Sequence, residues 1–415
     1  VTFKLRPGVT FHDGKPMEAE DVASSLRRVL SKDVGSPLAS RLSAMESATA
    51  VDATTLELKL KEPSAPLLAS LTGIAIVPRG LEGNKDALQR APMGTGPFKF
   101  EEWQPNGFIR LAKHAGYWNA AEVKLAGVKF NFVPEAATRQ VGIGNGQFAL
   151  LPHIDAATAL QLKGKPNIAM QETTELAYTL IGMNTSKPPF DNVKVREALN
   201  YALNRKEIID AALFGSGTPA APLPAVLKDW AVDVKDLPCY AYDPAKAQAL
   251  LKEAGVATPV TVSMTVLPRQ DIRDIAQVVQ QQLGKAGFKV ELKNPELGQF
   301  VQDWRNSNFD LFASTNAGSI EPDDYFYRAF RTGGSTNVFK YSNPELDTLL
   351  DKGRATLDKP ARQAAYRDAQ KILGCTGPAA HIAYPTLFSA VRSNLQGYDI
   401  YANRSLVSLG SASLR

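Results

Sequence analysis

Cysteine and histidine are scarce in this chain of 415 residues, and their scarcity narrows the chemistry that the protein can perform. Cys239 and Cys375 form no C-x-x-C pair, and two thiols alone do not make a zinc cluster. No two histidines form an H-x-x-x-H pair, and all four lie far apart in the sequence: His12, His114, His153 and His381. The sequence therefore predicts no metal site and no metal-dependent hydrolysis.

Long runs of one charge or of apolar residues are also missing. Lys and Arg number 47 against 42 Asp and Glu, and no run of one sign exceeds two residues, so nothing indicates nucleic-acid binding. The longest uncharged candidate for a membrane span, 372–391, contains glycines, prolines and a histidine, which favour a loop and a strand. We therefore predict no nucleic-acid partner and no span.

The remaining composition, 44% apolar and 21% charged residues, is ordinary for a globular protein, and the length suggests two or three domains. The sequence opens directly on a strand-like segment, VTFKL, and we expect no signal peptide within these residues. We therefore expect that an upstream segment precedes this sequence in the working protein.

The first 240 residues predict a mixture of short strands and helices. A small α+β unit is expected from a strand at 1–5, a helix at 18–31 and antiparallel strands at 48–51 and 55–61. Further strands are predicted at 98–103, 108–114, 127–134 and 177–183, with a mostly helical interval between the last two. Helices follow at 191–203, with Asp191 as N-cap, and at 205–214, before a long loop at 215–240.

The clearest pattern lies between residues 259 and 314. Strands at 259–266, 288–292 and 309–314 alternate with helices at 271–286 and 297–305, an order that predicts a parallel sheet with right-handed crossovers. Because ligands bind outside the carboxyl ends of such strands, the loops after Val266 and Ser314 should open on one edge and form a binding site.

The last part of the chain predicts helices first and strands afterwards. The helices are expected at 323–330, 344–356 and 361–373, and the strands at 379–384 and 386–391. If these strands rejoin the sheet of the first half, the chain crosses twice between two lobes. Such a protein is built to close on a ligand.

Four separated blocks resemble the large solute-binding proteins of ABC importers for peptides, nickel and opines. In order along the chain they are FKLRPGVTFHDGKPMEAEDV at 3–22, GTGPFKFEEW with KHAGYW at 94–118, NTSKPPFDNVKVREALNYALNRKEII at 184–209, and YDPAKAQALLKEAG at 242–255. Most of these residues are turn formers, caps and apolar stripes, so they identify a scaffold rather than a ligand.

The resemblance implies an α/β fold, namely the two-lobed periplasmic-binding-protein fold (type II, similar to cluster C) with an extra small α+β domain. The small domain should span 1–93, domain I 94–240 together with 383–415, and domain II 241–382. Family members carry further residues before the first block, so the N-terminal part of domain I is expected to be missing here.

The ligand-facing loop after Ser314 departs from the peptide-binding relatives that it resembles. Those relatives place an Asp four residues before the proline of this loop, to pair with the α-ammonium group of the ligand. Here that position is Gly318, so recognition of a free peptide N-terminus is not expected, because an unpaired buried charge is costly. Asp323 or Asp324 could substitute, although either could instead cap the following helix.

The resemblance also implies an arginine for the carboxylate of the ligand in the loop after Val266. Arg269 just precedes a helix, so its guanidinium and the helix N-terminus could both face an anion. Arg273 is a competing candidate, and a solvated surface arginine is the alternative for either. The pattern favours a ligand that carries a carboxylate or a phosphate.

Neutral and aromatic candidates complete the predicted ligand-binding set. Thr315, Asn316 and Ser319 offer hydrogen bonds in the same loop as Gly318. Tyr178 and Trp230 could present aromatic rings to a small molecule, although aromatic residues more often belong to a core. In the family that this chain resembles the crossover segments run side by side, so Cys239 and Cys375 could form a disulfide; two buried free thiols are the alternative.

We therefore predict a substrate-binding protein of an ABC importer, located in the periplasm, that binds a small peptide or related solute and delivers it to a membrane permease. It is expected to be a monomer without cofactor or enzymatic activity, since the sequence contains no G-x-S-x-G motif and no P-loop. The alternative is a ligand-sensing or chaperone-like binding protein on the same fold.

Overall fold

A computed structural model describes residues 1–84, 86 and 88–415. The chain divides into two compact units, of which unit 1 comprises residues 1–173 and 388–415, and unit 2 comprises residues 174–387. The chain thus passes twice from one unit to the other. The three-part division expected from the family resemblance uses other boundaries and stays a prediction.

Unit 1 begins with a helix packed on a three-stranded antiparallel sheet, whose strand order is β1-β3-β2. The elements are β1 (Thr2–Lys4), α1 (Ala19–Leu30), β2 (Met45–Asp52), β3 (Thr55–Leu60) and α2 (Leu67–Leu71). A capping box between Glu18 and Asp21 starts α1, and the buried Val22 and Leu26 of this helix join Leu56 and Leu58 in one core. The predicted small α+β arrangement is confirmed.

A second three-stranded antiparallel sheet and two strand–helix pairs complete the N-terminal part of unit 1. The elements are β4 (Phe98–Gln104), β5 (Phe108–Lys113), β6 (Gly127–Asn131), α3 (Ala136–Asn145), β7 (Leu150–Ile154), α4 (Ala156–Leu162) and β8 (Ile168–Thr174). The prediction of a mostly helical interval before residue 177 missed β7 and β8. Periodicity does not separate strands this short from buried helix segments.

Unit 2 contains eight α-helices and the six strands of one sheet path, among the residues that the structure describes. They are β9 (Tyr178–Met183), α5 (Val193–Tyr201), α6 (Arg205–Ala212), β10 (Gly217–Pro219), α7 (Pro244–Glu253), β11 (Val260–Val266), α8 (Gln270–Lys285), β12 (Phe288–Lys293), α9 (Leu297–Arg305), β13 (Leu311–Asn316), α10 (Asp323–Phe330), α11 (Pro344–Ala355), α12 (Lys359–Cys375) and β14 (Ala379–Arg392). The last residues of β14 belong to unit 1.

Three local predictions for unit 2 were wrong. Asn192, rather than Asp191, caps α5, since its side chain accepts a hydrogen bond from the Lys194 N–H at 2.9 Å. The predicted loop at 215–240 contains the short strand β10. Finally, β14 is one strand where two were predicted, and it continues through Pro385, whose carbonyl accepts a hydrogen bond from the Glu175 N–H at 2.9 Å.

The unit 2 sheet has the strand order β10-β14-β9-β13-β11-β12. Strand β11 is parallel to both β12 and β13, which confirms the predicted β-α-β-α-β arrangement. Strand β9 is antiparallel to β13 and to β14. The parallel strands therefore lie on one side of β9, and β14 and β10 on the other.

Apolar side chains cover both faces of this sheet. Ile181 and Met183 of β9 belong to a core with helices α5, α6, α7 and α8, whereas Tyr178 and Leu180 belong to a second core with α10, α11 and α12. Every residue of β9 is buried, as expected for a strand with helices on both faces. This burial explains why β9 reads as an apolar run rather than an alternating one.

A disulfide joins Cys239 to Cys375, the end of α12, within unit 2. The pairing was left open by the sequence and is present in the structure. The C-terminal residues form β15 (Leu395–Gln396) and β16 (Ser413–Leu414), which pair in antiparallel orientation in unit 1. Over residues 1–84, 86 and 88–415, no helix is both long enough and apolar enough to cross a membrane.

Candidate functional site

Strands β11 and β13 end at the same edge of the unit 2 sheet. Val266 lies opposite Ala313 in the parallel register, and the Leu267 N–H donates to the Ala313 carbonyl at 3.0 Å. Strand β9 begins at this edge, with Tyr178 opposite Asn316. The prediction that the two loops open on one edge is confirmed. We call residues 176–178, 267–273 and 314–321 the carboxyl edge.

Asn316 links the start of β9 to helix α10 at the carboxyl edge. Its amide Nδ2 donates to the Tyr178 hydroxyl at 2.8 Å, and its Oδ1 accepts from Arg328 Nη2 at 2.8 Å. Tyr178 is fully buried, with its ring 6.2 Å from that of Tyr325 and 4.9 Å from that of His381, and burial raises its pKa to about 12. A ligand could reach this ring only if neighbouring side chains moved.

Gly318 lies where the backbone of one edge segment meets another. A Cβ atom at this position would overlap the carbonyl oxygen of Leu176 and the hydroxyl of Tyr325, and that hydroxyl donates to the same carbonyl at 2.8 Å. The packing thus leaves no space for any side chain at residue 318. It supplies a steric reason for the absence of charge that the sequence shows at this position.

The two hydroxyl residues of the same loop differ in their surroundings. Ser319 Oγ accepts a hydrogen bond from the Glu321 N–H at 2.9 Å, so it stabilises the turn before α10. Thr315 is half-buried in β13, opposite Thr179 of β9. Ser319 is thus already hydrogen-bonded within the loop, and the residue is half-buried.

Two arginines occupy the other loop of the carboxyl edge. Arg269 Nε and Nη2 donate to the two carboxylate oxygens of Asp271 at 2.6 and 2.7 Å, which is a bidentate pair. Arg273 lies one turn further into α8, and its buried Nε has no hydrogen-bond partner among the described residues. Arg273 therefore has donor capacity that the rest of the described chain does not use.

Trp230 lies in the segment before the disulfide rather than on the carboxyl edge. Its half-buried ring meets the ring of Tyr366 edge-on at 6.0 Å, and the guanidinium carbon of Arg362 lies 5.2 Å from its centroid. The six other predicted ligand-binding residues lie on the carboxyl edge. As ligand contacts, all seven stay predictions.

Buried ion pairs behind the carboxyl edge were missed by the sequence analysis. Glu321 Oε1 accepts from Arg362 Nη2 at 2.6 Å, and Asp323 pairs with Arg354, whose Nε is 3.0 Å from Asp323 Oδ1. Burial raises the pKa of Glu321. Helix α10 has Pro322 as N-cap without a side-chain bond, so the expectation that Asp323 or Asp324 caps it was wrong, and both lie in its first turn. The sequence around Glu321 and Asp323 does not indicate that these residues pair with Arg362 and Arg354.

No group of three or more His, Cys, Asp or Glu side chains is arranged to hold a metal ion among the residues with a described structure. The donors at the carboxyl edge are guanidinium, amide and hydroxyl groups. These groups suit an anionic or polar organic ligand better than a cation.

Comparison with known proteins gives consistent matches over nearly the whole chain. The family model described as bacterial extracellular solute-binding proteins, family 5, matches residues 1–337. The chain is 32% identical over 416 residues to the glutathione-binding protein GsiB of Pectobacterium atrosepticum, an alignment that covers 96% of this chain and 80% of that protein.

Two solved structures resemble the whole chain. A dipeptide-binding protein of a Pseudoalteromonas species, in complex with Met-Leu, matches with a TM-score of 0.88 and 26% identity, covering 100% of this chain and 88% of that one. The protein AgaA of A. tumefaciens, in complex with agropinic acid, matches with a TM-score of 0.88 and 25% identity, covering 100% and 86%. These similarities extend over both units.

Proposed function

Since the chain belongs to the bacterial extracellular solute-binding proteins of family 5, we propose that it recognises a small solute by a carboxylate group at the carboxyl edge. The chain has the two-lobed periplasmic-binding fold and is the solute-binding component of an ABC importer. Two relatives are named glutathione-binding and dipeptide-binding proteins, and a third is named an ABC transporter-associated periplasmic binding protein, which favours this role over the sensing or chaperone-like alternative.

The unused donor of Arg273 carries the proposal. Its buried Nε has no partner among the described residues, and a buried guanidinium nitrogen without an acceptor is costly unless a ligand supplies one. Arg273 lies close to the N-terminus of α8, a helix of 16 residues whose dipole favours negative charge at that end. A carboxylate placed there satisfies both groups.

Arg269 supports the same ligand chemistry. The Asp271 carboxylate accepts two parallel hydrogen bonds from the Arg269 guanidinium, in the geometry that a solute carboxylate would adopt. A solute carboxylate could therefore replace Asp271 with little rearrangement of Arg269. Thr315 and Asn316 add neutral hydrogen-bonding groups, and Gly318 keeps its position free of charge. Glutathione, Met-Leu and agropinic acid, which the relatives' names mention, all carry at least one carboxylate.

Family membership supports a proposal for the site of action and the partners. We infer that the protein works in the periplasm as a monomer and hands its solute to a membrane permease, without an enzymatic step. Relatives are described as extracellular or periplasmic binding proteins, and members of the family work with ABC permeases.

Isothermal titration calorimetry of the full chain against glutathione, Met-Leu and agropinic acid tests the proposal. At least one of them should bind, and esterification of its carboxylates should weaken binding strongly. Arg273→Gln should lower the affinity by about tenfold or more, the loss typical of a hydrogen bond to a charged group.

Lys285→Gln is the matched control, because it removes the same charge from the exposed far end of α8. It should leave the affinity unchanged. Equal binding of the free and the esterified solute, or an equal effect of the two substitutions, would contradict recognition of a carboxylate at this edge.

A further inference from the structure

One arginine behind the carboxyl edge contacts two segments that carry predicted ligand-binding residues. Arg362 of α12 is buried, and its Nη2 donates to Glu321 Oε1 at 2.6 Å while its Nε donates to the Gly353 carbonyl at 2.7 Å. Glu321 in turn donates its backbone N–H to Ser319 Oγ at 2.9 Å. Arg362 therefore holds the turn that ends the carboxyl edge.

The same guanidinium also contacts the Trp230 segment. The guanidinium carbon of Arg362 lies 5.2 Å from the centroid of the Trp230 ring, a cation–π contact. Two turns further along α12, Gln370 Nε2 donates to the Trp230 carbonyl at 2.8 Å, and its Oε1 accepts from the Val232 N–H at 3.1 Å. One helix thus anchors both segments.

The burial of the ion pair makes this link stiff. The side chains of Arg362 and Glu321 are 9% and 11% exposed, so separating them leaves two charges in an apolar surrounding. An exposed pair would exchange its partner for water at little cost. The turn at 319–321 and the ring of Trp230 are therefore expected to keep one relative position.

We propose that Arg362 is a positioning residue that couples the Ser319–Glu321 turn to the Trp230 segment, because one guanidinium group contacts both. Arg362 acts through these two segments and does not touch the solute. The inference rests on the proposed function for its effect on solute affinity, whereas the coupling itself is a property of the chain without solute.

Hydrogen–deuterium exchange of the full chain without solute tests the coupling. Arg362→Met should speed exchange of the amides of 317–323 and of 227–232 by about tenfold or more. Apart from the end of α11, where the Gly353 carbonyl loses its bond to Arg362 Nε, the other peptides of unit 2 should be unchanged. Arg362→Lys, which keeps the charge but not the fork, should affect the same two segments less. Glu321→Gln should also speed amide exchange in both segments.

Arg331→Met is the matched control, because Arg331 forms a bidentate pair with Asp351 that is partly exposed. It should leave both segments at the wild-type rate. Faster exchange in only one segment of the Arg362→Lys variant, or uniformly faster exchange over residues 174–387, would overturn the coupling.

Affinity for glutathione, Met-Leu or agropinic acid gives the second readout. For a solute that binds the wild type, Arg362→Met and Glu321→Gln should each weaken binding by about tenfold, and the double variant should be no weaker than either single one. Additive losses would overturn the shared action. If none of the three solutes binds, the proposed function fails, and the exchange data still decide the coupling.

Discussion

At the scale of single residues, His381 is a fully buried titratable side chain of unit 2. Both ring nitrogens are buried without a hydrogen-bond partner in the described part of the chain, and the rings of Tyr178 and Phe330 lie 4.9 and 6.3 Å away. Burial, with the charge of Arg205 adding to it, lowers the pKa of His381 to about 3.

This depressed pKa predicts an acid-sensitive fold. The unfolded chain binds the proton at its ordinary pKa of about 6.5, and the folded chain does not, so stability falls as the pH drops from about 6.5 toward 3. At about 1.4 kcal/mol per pH unit, the loss reaches about 2 kcal/mol at pH 5. His381→Phe should remove this part of the pH dependence, measured by urea unfolding at pH 7 and pH 5.

Phe330→Leu serves as the control for this measurement, because it disturbs the same core without changing a titratable group. It should lower the free energy of unfolding equally at both pH values. An unchanged pH dependence in His381→Phe would show that the proton is not taken up at this histidine.

Gly318 makes a second prediction at the residue scale. A Cβ atom there would overlap the Leu176 carbonyl and the Tyr325 hydroxyl, and the first of these belongs to the backbone and cannot rotate away. Gly318→Ala should therefore cost about 1–3 kcal/mol, as overpacking does in well-filled sites. Thermal unfolding of the variant measures it.

The matched substitution is Gly284→Ala in α8, where no atom lies within 4 Å of the added Cβ. It should stabilise the chain slightly, by up to about 1 kcal/mol, since alanine favours helix over glycine. Equal stability of the two variants would contradict the close approach at Gly318.

At the scale of elements, the sequence predicted those segments whose pattern is local. Helix α9 and helix α10 have the predicted bounds, and α8 shifts by one residue at each end, because apolar periodicity and flanking turn residues define them. The position of the carboxyl edge followed from the strand order alone. Strands β7 and β8 were not predicted, because their conformation depends on a partner strand rather than on their own residues.

Distant pairings explain the rest of the difference at this scale. Glu321 and Arg362, or Asp323 and Arg354, lie far apart in sequence and share no motif, so only the fold shows that they meet. The same holds for the place of Trp230 against α12. Sequence patterns therefore indicated six residues that lie on the carboxyl edge. They did not indicate the distant residues whose ion pairs stabilise it.

The disulfide between Cys239 and Cys375, at the end of α12, is predicted to stabilise unit 2. It closes a loop across a sequence separation of 136 residues, for which the chain-entropy model gives about 5 kcal/mol and typical measured values about 2–4 kcal/mol. Reduction should therefore lower the urea midpoint of unit 2 clearly, and the Cys239→Ser/Cys375→Ser double variant should match the reduced wild type.

The double variant is also the control, because a reductant should no longer change its unfolding curve. If the reduced and the oxidised wild type unfold at the same urea concentration, the disulfide does not contribute to the stability of unit 2.

At the scale of the whole molecule, the described contacts assign all seven predicted ligand-binding residues to residues 174–387, which form unit 2. Four separated blocks sufficed to predict the family and the fold, since their turns and helix caps can be recognised from short stretches of sequence. Domain boundaries depend on contacts between distant segments, and the predicted division at 93, 240 and 382 still awaits a test.

Because all the proposed recognition residues lie in unit 2, a bound solute is predicted to stabilise that unit. A solute at 100 times its dissociation constant adds about 2.7 kcal/mol to the folded state. In a transition of about 200 residues this shifts the melting temperature by about 5–10 °C. Scanning calorimetry with glutathione, Met-Leu or agropinic acid should show that shift in the transition of unit 2, identified by the C239S/C375S variant, which lowers the same transition.

Arg273→Gln should reduce the shift at the same solute concentration, because a weaker complex adds less free energy to the folded state. Lys285→Gln should reproduce the wild-type shift, since its charge lies at the other end of α8. A solute that binds by calorimetry and yet leaves the transition of unit 2 in place would mean that its binding energy is realised outside residues 174–387, and recognition at the carboxyl edge would then be wrong.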